Sequence, residues 1–88
     1  MDANLKAKWV EALRSGEYKQ IPMELHDREG GYCCLGVLCT VAQIDMDDTG
    51  PAYRVLERIT GGYAPLVTLN DDKGKSFAEI ADWIEANL

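Results

Sequence analysis

The sequence is short of basic residues, has one histidine and contains no long apolar run. Nine Lys and Arg stand against fifteen Asp and Glu, which gives a net charge of −6 and a pI near 4.6. Binding to nucleic acid or to an anionic membrane surface depends on clustered cations, so we expect neither. No run approaches the ~20 apolar residues of a transmembrane helix.

We also expect neither a secretory leader nor a zinc site. Residues 1–4 carry no positive charge on a side chain and no apolar segment follows them, so we expect a cytoplasmic protein. Cys33, Cys34 and Cys39 would need His26 as a fourth zinc ligand, and they contain no C-x₂-C pair. We therefore expect no metal and no cofactor, with the cysteines as buried thiols.

The composition, 47% hydrophobic and 27% charged, is that of one globular domain over residues 1–88. A core of this size leaves roughly 5 kcal/mol of net stability. The uncharged run YCCLGVLC, residues 32–39, holds all three cysteines. This run must be the centre of the core, a site, or both.

Amphipathic patterns predict two helices, over residues 2–15 and from Ser76 to residue 88. The second begins with a capping box, because Ser76 and Glu79 are spaced so that each side chain can bond the other's backbone N–H. Each helix presents one apolar stripe, and together the stripes contain Leu5, Trp9, Ala12, Leu13, Phe77, Ile80, Ala81, Ile84 and Leu88.

The middle of the chain predicts a hairpin and a buried helix. Apolar and polar residues alternate over 18–26, which indicates a half-buried strand with Pro22 at an edge. A glycine-rich turn at 27–31 leads to a second strand at 32–33. Residues 34–44 suit a helix or a strand, and their length favours the helix.

The next segment predicts an acidic loop, a helix and a short strand. Residues 45–50 resemble the start of a calcium loop but lack its glutamate at the twelfth position. Pro51 begins a helix, residues 66–69 form a strand and residues 70–74 form a turn; the helix face consists of Val55, Leu56 and Ile59. The fold class is therefore α+β, a small single domain with three to four helices and a short antiparallel β-sheet.

Gly74-Lys75-Ser76 repeats the end of a phosphate-binding P-loop. The first glycine of that motif is absent, because Leu69 occupies its position. What remains is a helix N-terminus beside Lys73 and Lys75, which suits one anionic group or is simply a capped helix.

Other polar and aromatic residues add to this candidate site. Tyr18 could stack on a planar ligand or mark a strand end. Asn70 and Asp71 could bond a sugar hydroxyl or a base edge, or only shape the turn. The predicted ligand-binding residues are Tyr18, Lys19, Gln20, Asn70, Asp71, Lys73, Lys75 and Ser76.

Three segments resemble a family of small phage and prophage proteins: residues 9–20 (WVEALRSGEYKQ), 32–39 (YCCLGVLC) and 69–85 (LNDDKGKSFAEIADWIE). Residues 45–65 depart from the pattern. The resemblance brings no catalytic residue with it. It implies an accessory protein of phage origin, acting in the host bacterial cytosol, of a kind that often counters host defences by binding.

Two binding functions follow. The first is sequestration of a small nucleotide-like anionic ligand, for which so small a chain would build its pocket in a homo-oligomer. The second is an acidic inhibitor that docks directly on a host defence protein. The sequence contains no nucleophile–base pair and no metal set, so we expect no enzyme.

Overall fold

A computed structural model describes residues 1–46 and 50–88; residues 47–49, in the predicted acidic loop, lie outside the described residues. The described chain is a small α+β domain with five α-helices, a π-helical turn and one two-stranded sheet. Its elements in order are α1 (Ala3–Arg14), β1 (Lys19–Gln20), β2 (Gly31–Tyr32), α2 (Cys34–Ala42), α3 (Pro51–Thr60), α4 (Ala64–Val67), the π-turn (Thr68–Asp72) and α5 (Phe77–Asn87).

Helix α2 forms the centre of the core, and its assignment as a helix is confirmed. All residues from Cys34 to Cys39 are buried, as a helix that is apolar on every side requires. Helix α1 contacts both α2 and α5. Its Trp9 is fully buried and donates from indole Nε1 to the carbonyl oxygen of Cys34 at 2.9 Å, which satisfies its one polar atom.

Both terminal helices are also confirmed. Asp2 caps α1 by accepting a hydrogen bond from the Leu5 N–H at 2.8 Å. The capping box of α5 is complete: the Ser76 N–H donates to Glu79 Oε1 at 3.0 Å, and the Glu79 N–H donates to Ser76 Oγ at 3.1 Å. Of the helices in the described ranges, none combines the length and apolar character needed to cross a membrane.

The predicted antiparallel pairing is wrong. Strand β1 runs parallel to β2, with Lys19 opposite Gly31 and Gln20 opposite Tyr32. Among the residues that the structure describes, antiparallel pairing is limited to the single bridge between His26 and Tyr32. The predicted strand over 18–26 is broken because the chain leaves the sheet after Gln20 and turns back toward it.

The strand predicted over residues 66–69 is also wrong, because this segment belongs to α4 and the π-turn. Pro65, in the first turn of α4, has the fixed φ that starts a helix. The helix predicted from Pro51 is confirmed, and Gly61 ends it with a φ of 77°. Its buried face differs from the prediction, since Val55 is 39% exposed; the buried residues are Ala52, Leu56 and Thr60.

Candidate functional site

Asn70 is the hub that joins the N-terminal strand region to the C-terminal half of the chain. It is 5% exposed and lies in the π-turn. Its Oδ1 accepts from Gln20 Nε2 at 2.9 Å and from the backbone N–H of Cys34 at 3.3 Å. Its Nδ2 donates to the Ile21 carbonyl at 3.0 Å and to Asp71 Oδ1 at 2.8 Å. These bonds use both N–H donors of the amide and both lone pairs of its oxygen, so the Asn70 side chain is fully hydrogen-bonded within the protein.

Gln20 and Asp71 complete this network. Besides bonding Asn70, Gln20 Nε2 donates to the Lys75 carbonyl at 2.7 Å. Asp71 Oδ1 accepts a further bond from the Met23 N–H at 2.9 Å. The structure therefore brings the side chains of three of the eight predicted site residues together, and the Asn70 and Asp71 side chains hold the backbone of residues 21–23 against the π-turn. Lys75 joins them only through its backbone carbonyl.

The backbone N–H and the hydroxyl of Ser76 are both hydrogen-bonded to Glu79 in the capping box of α5. The Glu79 carboxylate accepts from the Ser76 N–H, and hydrogen bonds from Ser76 lower the pKa of Glu79. Lys75 Nζ lies 3.9 Å from Glu79 Oε2, and the side chains of Lys73 and Lys75 are both exposed. An anion at this end of α5 would have to displace a carboxylate already bound there.

Tyr18 and Lys19 lie apart from the Asn70 network. The Tyr18 ring packs edge-on against Tyr32, with their centroids 5.3 Å apart. Lys19 is exposed, and its charge contributes to lowering the pKa of Asp27 after the hydrogen bonds from Glu29 and Gly31. These positions match the strand-end reading of Tyr18 and the turn predicted after residue 26.

A cleft of about 210 Å³ lies beside Asn70 and is here called the Met23 cleft. Its wall is mainly apolar and its two ionisable carboxylates belong to Glu24 and Asp71. The lining consists of Met23, Glu24, Cys33, Cys34, Leu35, Tyr53, Val67, Asn70 and Asp71. Sequence reasoning missed Met23, Glu24, Tyr53 and Val67, because alternation placed Met23 inside a strand and no motif surrounds Tyr53.

A second, shallower depression of about 340 Å³ shares Asn70 and Asp71 with the Met23 cleft. We call it the Gly74 groove; Gln20, Ile21, Pro22 and Gly74 complete its lining. It contains three of the eight residues predicted from the sequence.

The three thiols belong to the core rather than to a reactive centre. Burial raises the pKa of Cys33, although the N–H groups of Gly36 and Leu35 at the start of α2 favour its thiolate. Burial also raises the pKa of Cys34, and raises that of Cys39 to about 12. In the part of the chain that the structure describes, no cluster of three His, Cys, Asp or Glu side chains could hold a metal ion.

Comparison with known proteins places the chain in a family but gives it no function. The fold is a small α+β domain with a mainly apolar cleft that carries two carboxylates. The chain belongs to the family described as Domain of unknown function (DUF8296), whose model matches residues 1–53. No curated protein and no solved structure matches the chain. The matched stretch includes Met23, Cys33 and Tyr53 of the cleft, whereas Asn70 and Asp71 follow it.

Proposed function

We propose that this domain is a phage-derived accessory protein that counters host defence by docking directly on a host defence protein, with the Met23 cleft at the centre of the contact. The phage setting is supported by the resemblance of residues 9–20, 32–39 and 69–85 to small phage proteins. The single observation that carries the docking mode is the size and lining of the cleft.

The volume of the cleft favours a protein side chain over a nucleotide. Pockets for small molecules and cofactors enclose about 300–1,000 Å³. The Met23 cleft encloses about 210 Å³. Protein interfaces concentrate their binding energy where one large side chain fills a small, well-desolvated pocket of this kind.

The charge around the cleft points the same way. Glu24 and Asp71 line it, and no lysine or arginine is among its described lining residues. The chain as a whole carries a net charge of −6. A phosphate would be repelled here, whereas a basic protein surface would be attracted and steered.

A second candidate, sequestration of a small nucleotide-like anionic ligand, is favoured by the Gly74 groove. The groove is larger, about 340 Å³, and the exposed Lys73 and Lys75 flank Gly74 in the chain. Because Asn70 is fully bonded within the protein, ligand contacts would come mainly from the lysines and from Gln20. A homo-oligomer would enclose such a ligand better than one chain does.

Phage plating separates these two functions. Bacteria carrying individual defence systems are challenged with a phage that each system restricts, with and without expression of this protein. We expect the wild type to restore plating against at least one system. Tyr53→Ala should abolish the effect if docking is correct, and the double variant Lys73→Ala/Lys75→Ala should abolish it if a small anion is sequestered.

Val55→Ala is the matched control, because Val55 is as exposed as Tyr53, lies on the same helix and does not line the cleft. It should retain the plating effect of the wild type. If wild-type protein changes plating against no defence system, counter-defence is ruled out as the function.

A further inference from the structure

Met23 occupies a strained backbone position that its surroundings enforce. Its φ is 72°, a left-handed value that few residues without glycine's freedom adopt. The Glu24 N–H donates to the Pro22 carbonyl at 2.9 Å, so Met23 is the central residue of a γ-turn of the rare positive-φ kind. The Met23 N–H is held by Asp71 at 2.9 Å.

This turn holds an apolar side chain out in water. Met23 is 81% exposed, the highest value among the large apolar side chains that the structure describes as exposed. Folding gains nothing from burying this side chain, so its own packing does not account for the strain. Strained residues that the surrounding structure enforces concentrate at binding sites.

Two of the three large apolar side chains that the structure describes as exposed lie at one cleft. Met23, Tyr53 and Val55 are the exposed large apolar residues of the described chain, and the first two both line the Met23 cleft. Leu35 and Val67 form apolar wall inside it. A flexible methionine and a tyrosine ring at a cleft are side chains that adapt to and stack on an incoming group.

The two carboxylates that line the cleft favour an occupant with a positive charge. Glu24 is exposed and Asp71 is half-buried, and both line the cleft. An occupant that matches the whole lining has an apolar shaft for the methionine and tyrosine and a cationic end for the acids. Arginine has both, binds carboxylates through a planar fork and stacks on aromatic rings.

We propose that the Met23 cleft receives one arginine side chain presented by the surface of the partner protein. This proposal rests on the docking function proposed above and names the chemistry of the partner at that site. The guanidinium lies between Glu24 and Asp71, and its alkyl shaft lies between Met23 and Tyr53.

The test uses blocked glycine pentapeptides with a central arginine, lysine, citrulline or norleucine, titrated into the full chain. NMR follows the Met23 methyl group and the Tyr53 ring. We expect the arginine peptide to bind with a roughly millimolar dissociation constant. Lysine should bind more weakly, neutral citrulline and norleucine should bind at least fivefold more weakly, and the arginine affinity should fall as salt is raised.

Two variants assign the contacts. Glu24→Gln keeps the shape of an exposed side chain and should weaken arginine binding about two- to five-fold. Met23→Asn introduces a residue that tolerates a left-handed φ, so the denaturation midpoint of the variant should equal or exceed that of the wild type. Its affinity for the arginine peptide should fall at least fivefold. Gln43→Asn is the matched control, since Gln43 is exposed with a φ of 57° away from the cleft.

Equal binding of arginine and citrulline, or unchanged binding by a folded Met23→Asn variant, overturns the proposal. Tighter binding of lysine than arginine also overturns it in favour of a lysine anchor. The plating assay keeps the two proposals distinct. If Tyr53→Ala abolishes the plating effect but no arginine peptide binds the wild type, docking stands and the arginine assignment fails. If the arginine peptide binds but the wild type never changes plating, the cleft binds arginine and counter-defence fails as the function.

Discussion

The backbone of Gly36 in α2 lies directly against the carbonyl group of Leu25. A Cβ atom at position 36 would come within 1.8 Å of the Leu25 carbonyl oxygen and 2.8 Å of its carbonyl carbon. The obstacle is backbone rather than the end of a flexible side chain. The Leu25 carbonyl also accepts from the Cys33 N–H at 3.3 Å, which fixes the segment that leads from Leu25 toward β2.

We expect Gly36→Ala to destabilise the domain by at least about 3 kcal/mol, above the usual range for overpacking, because neither backbone can yield alone. With roughly 5 kcal/mol available, much of the protein would be unfolded. Urea denaturation followed by circular dichroism measures this. Gly50→Ala is the control: its added Cβ would meet nothing within 4 Å, so its free energy of unfolding should change by less than about 1 kcal/mol.

Asn70→Ala should destabilise the fold before it affects any binding. The substitution leaves the buried Cys34 N–H without its partner, at about 1–3 kcal/mol, and removes the partner of the half-buried Ile21 carbonyl as well. Lys73→Ala, at an exposed position three residues away, should change stability by about 0.5 kcal/mol or less. Thermal unfolding of both variants tests this, and equal melting temperatures would show that the Asn70 network is dispensable.

Ile80→Ala should cost roughly 2–5 kcal/mol, because it empties a fully buried position on α5. Ala86→Ser, exposed on the same helix, should cost about 0.5 kcal/mol or less. Chemical denaturation of both proteins gives the comparison. An Ile80→Ala protein as stable as the wild type would mean that α5 does not pack on the core.

The thiols predict a loss of stability at high pH. Burial raises the pKa of all three in the folded state, that of Cys39 to about 12. Unfolded cysteine ionises near pH ~8.5. Below that pH the thiols are protonated in both the folded and the unfolded state, and their contribution to the free energy of unfolding is fully present. As the pH rises toward 12, the unfolded chain loses these protons first, so the folded state becomes less stable relative to it.

Two measurements check this. The urea midpoint should be lower at pH 10 than at pH 7, and Cys39→Ala should reduce the difference. A thiol reagent should label the native protein slowly, beginning with Cys33 because it is 8% exposed whereas Cys34 and Cys39 are fully buried. In denaturant it should label all three thiols at once. Elemental analysis showing one zinc per chain would contradict the assignment of these cysteines as structural thiols.

The sequence predicts well those elements whose cause is local. Helix α5 follows from the Ser76–Glu79 box and its apolar stripe, and α2 follows from an apolar run too long for a typical strand. The parallel pairing of β1 with β2 could not be read in the same way. It depends on the reversal at Met23, where the Met23 N–H donates a hydrogen bond to Asp71 Oδ1 and so holds a backbone angle that methionine rarely adopts.

The candidate site shows the same division. Polarity outside the core pattern selected Gln20, Asn70 and Asp71, which do come together. Their hydrogen bonds within the protein could not be read from the sequence, because only the fold brings the Asn70 amide within reach of Cys34 and Ile21. Tyr53 and Val67 gave no signal, since each reaches the Met23 cleft from a helix whose position no local pattern specifies.

The burial of the first six residues of α2, Cys34–Cys39, determines how the domain can open. Its first amide, at Cys34, is bonded to Asn70, and its residues through Cys39 are covered by neighbouring elements. No small excursion of the chain brings these groups into contact with water. Hydrogen exchange in residues 34–39 should therefore proceed only through global unfolding, and its rate should report the stability of the entire molecule as a single cooperative unit.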